Sequence, residues 1–383
     1  MKKLSFRGEY INPVLRFIYY GSHRRKFLRE MAIKSRQNEL FRNKFDKDTE
    51  NIIAFLVPGA DINTGKDSVS GGVISIASLY AETEKLGKLH GCKLIMCTFP
   101  LEHLIFRHST FESAIPIFRF NQLTTDLPNL KKLILHIPEF MVSYLNSNIS
   151  IRQRNFLSNI PDLQINILNQ NIRLMPGEGI IRSLRILTSN ITVTTAHVKY
   201  CTEAYRKEFG VPLHFFSTFA SPENYRFAEY REKENIVVLS PDDEEKNREL
   251  MQIFKDEFPD LKVIVIKNLK YEDYKSLIAK AKWSVTFGEG LDFYFIEPVF
   301  SGGISFALFN ELFFTPDFKG LSTVYADYSS FKKEIVQQIR QLDNEQNYND
   351  CQKLIFQLCA KYYSKEQYRK NIAAFYNGQY TYA

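Results

Sequence analysis

Apolar residues along this chain fall into short runs separated by polar, Gly-marked or Pro-marked breaks. IIAFLV (52–57), KLIMCTF (93–99), KKLILHIP (131–138), NIVVLS (235–240), LKVIVIK (261–267), WSVTF (283–287) and ISFAL (304–308) are short and nearly continuous. Runs of that kind read as strands buried on both faces. LQINILNQN and ITVTT extend the series between residues 163 and 195, whereas residues 100–130 are mixed and predict no clear element. Segments with helical spacing lie between the runs: VISIASLYAETEKLG, EEKNRELMQIFKDEF, YEDYKSLIAKA and FKKEIVQQIRQL, then a terminal KYYSKEQYRKNIAAFY. Strands alternating with helices predict an α/β protein with parallel sheets. At 383 residues the chain is long for one core, and two domains are expected.

Composition narrows the classes. Hydrophobic residues make up 44% of the chain, enough for two cores. No uncharged apolar run is long enough to span a bilayer. The N-terminus lacks an apolar core followed by a small-residue cleavage site, so no secretory leader is expected. Cys92, Cys97, Cys201, Cys351 and Cys359 are odd in number and form no C-x-x-C pair. They suit a reducing cytoplasm, with thiols as small core residues. No His/Cys set has zinc-ligand spacing, and neither a metal nor a cofactor is expected. The formal charge of +7 is uneven: residues 1–47 hold 13 Lys/Arg against 4 Asp/Glu, +9 in the arm against −2 elsewhere. A nucleic-acid binder spreads such charge over its folded body, so nucleic acid is not an expected partner. Apolar and aromatic residues accompany the basic ones, which suits an anionic membrane face as well as a solvated helix.

The candidate chemistry centres on WSVTFGEGLDFYFIEPVFSGGISFA (283–307). Gly288-Glu289-Gly290 breaks a strand at its carboxyl end, where ligands sit in open α/β sheets. Glu297 follows eight positions later, with Pro298 beside it to start a helix that Gly302-Gly303 ends. Upstream, strand 52–57 runs into a Gly-rich loop and a helix, with Gly71-Gly72 just before the helix. That order suits a phosphate at a helix N-terminus, and equally a plain connection; it is neither a Walker A loop nor G-x-G-x-x-G. Asn169-Gln170-Asn171 interrupt an apolar run and read either as binders of sugar hydroxyls or as a polar turn. His197 reads as a satisfied histidine.

The strand, Gly-flanked Glu289, Glu297 and following Gly-Gly-strand resemble the E-x7-E signature of retaining GT-B glycosyltransferases of family 4. The P-x-x-x-x-K-N pattern around Lys246 is most similar to bacterial rhamnosyltransferase-like members. The resemblance covers about 51–383 and is strongest from 235 to 310. It implies two Rossmann-like domains facing a cleft, the boundary lying in the Ser217–Tyr225 region. The divisions are a basic arm (1–50), an acceptor domain (51–220), a nucleotide-sugar domain (221–365) and a helix and tail crossing back to the N-domain (366–383). It also implies a cytoplasmic hexosyltransferase-type enzyme, with the arm able to hold it peripherally at the inner membrane face. That enzyme would transfer a sugar from a nucleoside-diphosphate donor to a saccharide acceptor, lipid-linked or free, in bacterial surface polysaccharide or lipopolysaccharide synthesis. The implied reaction is retaining and metal-independent.

The implied roles are Glu289 at the donor sugar, Glu297 on the ribose hydroxyls, and Gly71, Gly72, Gly288 and Gly290 lining the donor site. Lys246 and Lys267 would meet the diphosphate. The usual Arg after the first strand of the second domain is Ser240 here, a departure that removes one diphosphate cation. Asp46-Lys47-Asp48 matches the D-x-D pair of GT-A enzymes in letters only, because it precedes the first strand. Two other classes stay open: a GT-B-fold nucleotide-sugar epimerase, which would convert donor without acceptor, and a non-catalytic scaffold, which need bind no nucleotide.

Overall fold

The computed structural model describes residues 21–60, 70–100, 104–108, 113–267 and 269–383. The first part of the arm and residues 61–69 of the Gly-rich loop lie outside the described residues. Two parallel sheets organise the chain. The first has seven strands: β1 (Asn51–Val57), β2 (Lys93–Thr98), β3 (Ile117–Arg119), β4 (Lys132–Pro138), β5 (Asp162–Asn169), β6 (Ile191–Thr195) and β7 (Leu213–Phe215). Their order is β3-β2-β1-β4-β5-β6-β7. The second holds β8 (Glu234–Leu239), β9 (Lys262–Val265), β10 (Ala281–Thr286), β11 (Ile304–Leu308) and β12 (Val324–Tyr325), in the order β12-β11-β10-β8-β9.

The apolar runs became the central strands for the reason the sequence suggests. Ile52 through Val57 are fully buried, since helices cover both faces of β1. Parallel pairing in register, Ala54 with Ile95 on one side and with Leu135 on the other, leaves no polar face to place. Chain order reverses between β1 and β4 in the first sheet and between β8 and β10 in the second. Such switch points open crevices at the carboxyl ends of strands, and the two face one another here.

Two features differ from the sequence reading. The arm is only partly an arm. Its helix, Gly21–Lys44, is exposed over its first turns, but Gln37 is fully buried and donates to the Ile105 and Ile117 carbonyls at 2.9 and 2.6 Å. Phe41 and Phe45 pack edge-on against Phe118. Residues 37–45 therefore belong to the first core, and burying two phenylalanines there contributes about 1.5–3 kcal/mol each.

The Glu297 helix, Phe293–Phe300, starts before Pro298, and the proline lies inside it. Asp292 caps it, accepting from the Phe295 N–H at 3.1 Å. The helix N-terminus thus points into the loop after β10, one turn earlier than the proline suggested. It ends at Gly302, with φ 85°; a Cβ there would lie 2.1 Å from the Ala228 carbonyl oxygen.

The crossing helix is Lys365–Tyr376. Tyr368, Ile372 and Phe375 enter the cluster that covers Ile53 and Phe55, and the Tyr376 hydroxyl meets His136 Nε2 at 2.9 Å. The chain then bridges back to β7, Leu213 and Tyr382 exchanging backbone hydrogen bonds of 2.8 and 2.9 Å. All five cysteines are thiols, four of them buried. Asp46 closes a turn with Thr49 at the amino ends of the strands, away from the crevices.

Candidate functional site

The two crevices form one cleft of about 970 Å³. Glu289 and Glu297 both line it, together with Gly71, Gly72, Gln170, Asn171, Lys267 and Gly288. Three other candidates do not. Lys246 holds Asp243 at 2.5 Å, and its ammonium lies 5.6 and 5.5 Å from the Phe287 and Tyr328 ring centres. Asp243 caps the helix that carries Lys246, and the pairing turns the cation from the cleft. Asn169 is 1% exposed and belongs to a small separate cavity with Ser217 and Tyr368. Gly290 makes the turn rather than the lining: its φ is 86°, and a Cβ would strike the Phe314 ring. Gly288 abuts the Asp242 carboxylate, which a Cβ would meet at 2.8 Å.

Glu297 is 1% exposed. Its Oε1 accepts from the hydroxyls of Tyr225 at 2.7 Å and Tyr271 at 2.6 Å. Burial pushes its carboxyl up to about 7, and the tyrosine hydrogen bonds only partly oppose that. Glu297 thus lines the cleft while held by two tyrosines, a carboxyl built into the cleft floor.

Glu289 crosses the cleft. Asn171 of the first domain donates from Nδ2 to Glu289 Oε1, and the Asn171 Oδ1 accepts from the Arg173 N–H at 3.0 Å. Burial raises the Glu289 carboxyl and the Asp242 charge adds to it, while the Arg173 guanidinium and Asn171 pull it back.

Neighbouring elements bring residues that motif reading missed. Glu139 directly follows β4, and Asp242 follows β8, so both stand at switch points. Burial, with the Glu289 charge adding to it, pushes the Glu139 carboxyl up to about 7. Asp292 is driven well above the carboxylate range by burial, with Asp242 and Glu289 adding to it. Against these five carboxylates, the described lining residues include two cations, Arg173 and Lys267. Arg173 stacks 5.2 Å from the Phe313 ring centre, a second contact across the cleft. His197 also lines the cleft; burial pulls its imidazole down to about 4, so it is neutral at physiological pH. Ser240 closes the end of β8 through its backbone and supplies no charge: its N–H bonds to Val285 and its carbonyl accepts from Asn247. A carboxylate or cation directly after a predicted strand was the one sequence signal for Glu139, Asp242 and Arg173.

The arrangement sets carboxyl groups, which can accept from hydroxyls, on both sides of the cleft and a helix N-terminus on the first-domain side. The helix Gly71–Lys85 opens into the cleft through Ser70, Gly71 and Gly72, where backbone N–H groups and the helix dipole favour an anion.

No family model and no curated protein matches the sequence. Solved structures do match the fold. An alpha-glucosyltransferase (AGT) in complex with UDP aligns with a TM-score of 0.54 at 10% identity, over 85% of this chain and 99% of that one. Anabaena Alr3699/HepE in complex with UDP and glucose gives 0.52 at 9%, over 85% and 99%. Sucrose-phosphate synthase from Thermosynechococcus elongatus gives 0.52 at 12%, over 86% and 99%. At these identities the likeness is one of architecture: this chain has the GT-B fold, two Rossmann-like domains about a cleft, with a C-terminal helix crossing back to the first domain.

Proposed function

We propose that the cleft binds a nucleoside-diphosphate sugar and that the protein transfers the sugar, with retention and without a metal, to a saccharide acceptor. The observation that carries this reading is the placement of Glu289 and Glu297 in one cleft, at the switch point of the second sheet. Solved structures of the same fold hold UDP, or UDP and glucose, in agreement with it.

Glu297 binds the ribose. Two tyrosines fix Oε1, and Oε2 receives the adjacent hydroxyls. The diphosphate lies between the Gly71 helix start, Arg173 and Lys267, which replace Lys246 and the absent arginine at Ser240. Glu289 holds the donor sugar and balances the positive charge that develops at the anomeric carbon. The acceptor hydroxyl oxygen bonds to that carbon as its bond to the phosphate oxygen breaks. The hydroxyl proton passes to the departing phosphate oxygen, so no separate base is required. Gln170 and Asn171 sit on the acceptor side. A family 4, rhamnosyltransferase-like donor and a role in surface polysaccharide synthesis belong to the same proposal and rest on the sequence pattern.

The arm adds a membrane face. In its exposed part Arg25, Lys26, Arg29 and Lys34 accompany Leu28 and Met31, which are 53% and 51% exposed. That surface suits an anionic leaflet bearing a lipid-linked acceptor. Among the described residues no helix is long and apolar enough to cross a membrane.

A screen of UDP-, GDP- and dTDP-sugars by thermal shift tests the reading. One donor class should raise the melting temperature in a concentration-dependent way. Conversion of that donor without acceptor to an epimer would overturn transfer in favour of epimerisation.

A further inference from the structure

Glu139 stands one residue past β4 and is 3% exposed, and among the described residues no ion pair accounts for its carboxyl. Its partners are two backbone N–H groups. Oε2 accepts from Gln170 at 3.3 Å and Oε1 from Asn171 at 3.1 Å. β4 and β5 are paired up to Pro138 and Leu168, so the carboxylate spans the gap between two adjacent strand exits and clamps the turn after β5. Both side chains of that turn leave it with a set direction. Gln170 Nε2 donates to the Gly72 carbonyl at 3.1 Å, at the start of the Gly71 helix. Asn171 donates to Glu289, its Oδ1 fixed by the Arg173 N–H.

We infer that Glu139 is a positioning residue: it fixes the Gln170–Asn171 turn so that Asn171 holds Glu289 in place across the cleft. This rests on reading the cleft as the nucleotide-sugar site, but the linkage itself is a property of the protein without ligand. Above the pH of about 7 at which the buried Glu139 ionises, the two N–H groups meet a carboxylate and the turn is held by charge-assisted hydrogen bonds, stronger than neutral ones. Replacing the carboxylate by an isosteric amide sets an NH2 against one of the two N–H donors and loosens the turn. Glu289 then loses the donor that orients it, although neither end of the change touches it. First-domain position and second-domain chemistry are joined in this way through three residues.

The test is a double-mutant cycle for Asn171→Ala and Glu289→Ala, each of which removes one end of the contact, measured at about pH 8.5 by urea unfolding with Trp283 fluorescence, first in the wild-type background and then with Glu139→Gln. The inference expects the pair to be coupled by roughly fivefold or more in the unfolding equilibrium constant, and the coupling to vanish with Glu139→Gln. A coupling that is equal in both backgrounds overturns it, whether or not any nucleotide binds. Glu139→Asp, which reaches only one N–H, should leave partial coupling and serves if Glu139→Gln does not fold.

The reaction supplies a second readout, with UDP-glucose, GDP-mannose and dTDP-rhamnose hydrolysis as the probe. Glu139→Gln should lower kcat tenfold or more with donor KM nearly unchanged, and adding Asn171→Ala should lower it no further. Multiplying effects overturn the positioning role. A wild-type protein inert to all three donors, with the coupling intact, would instead count against the reading of the cleft and leave the linkage standing.

Discussion

Glu297→Gln should make the protein more stable at alkaline pH and leave it nearly unchanged near pH 4.5. The carboxyl is 1% exposed and titrates at about 7 in the fold against an ordinary 4.5. Below 4.5 folded and unfolded chains both carry the proton, and its contribution is complete. Between 4.5 and 7 the unfolded chain has released a proton that the fold keeps, so stability falls as pH rises, by about 1.4 kcal/mol per pH unit. Above 7 the whole difference, about 3 kcal/mol, has been lost. Glutamine has no proton to lose, and its carbonyl oxygen accepts from Tyr225 and Tyr271 as Oε1 does. The variant should therefore match the parent near pH 4.5 and exceed it by up to about 3 kcal/mol at pH 8. Urea unfolding is a suitable assay because the single tryptophan, Trp283, is buried in the core that holds Glu297's helix. A stability difference that does not change with pH, or a variant weaker than the parent at pH 8, would refute the reasoning. Glu297→Ala likewise carries no proton to lose, but it leaves the Tyr225 and Tyr271 hydroxyls without their acceptor, so against the parent it should cost about 1–3 kcal/mol near pH 4.5 and less as the pH rises.

Other outcomes follow from the same geometry. Glu289→Gln should keep donor binding within about threefold and lose roughly 100-fold or more in kcat, measured by nucleotide release, because its role is in the transition state. Lys246→Ala should leave nucleotide affinity nearly unchanged, whereas Arg173→Ala should weaken it tenfold or more in calorimetry, since only the second cation lines the cleft. Gly302→Ala should destabilise the second domain by more than the 1–2 kcal/mol of a left-handed residue, because its Cβ also meets the Ala228 carbonyl; urea unfolding reads the loss. Reversing Arg25, Lys26 and Arg29 to Glu should abolish salt-sensitive binding to anionic vesicles while leaving the melting temperature unchanged. Persistent vesicle binding would show that the arm's charge serves only as a solvated face.

Strands buried on both faces were legible because a continuous apolar run has few other uses. β3, β7 and β12 were not, since two or three residues in an irregular segment carry no period. Pro298 misdirected the helix start, because a proline is expected at the first helical position and here sits in the last turns, while the cap is Asp292. The paired glutamates were legible through their spacing and the glycines around Glu289. Their different environments were not: the tyrosines on Glu297 come from residues 225 and 271, and the partner of Glu289 comes from the other domain. Lys246 looked like a phosphate ligand by position. Its loss to Asp243 depends on a cap three residues away, which a motif does not weigh.

The most direct test of the central claim is titration calorimetry of the protein, beside Glu297→Gln, with UDP, GDP and dTDP. One nucleotide should bind the parent saturably, and the variant should bind it at least tenfold more weakly, because the atom assigned to the ribose becomes an NH2 while the tyrosine-held oxygen is retained. Absence of binding by all three nucleotides, or equal affinity in the folded variant, would contradict the assignment of this cleft to a nucleoside-diphosphate sugar.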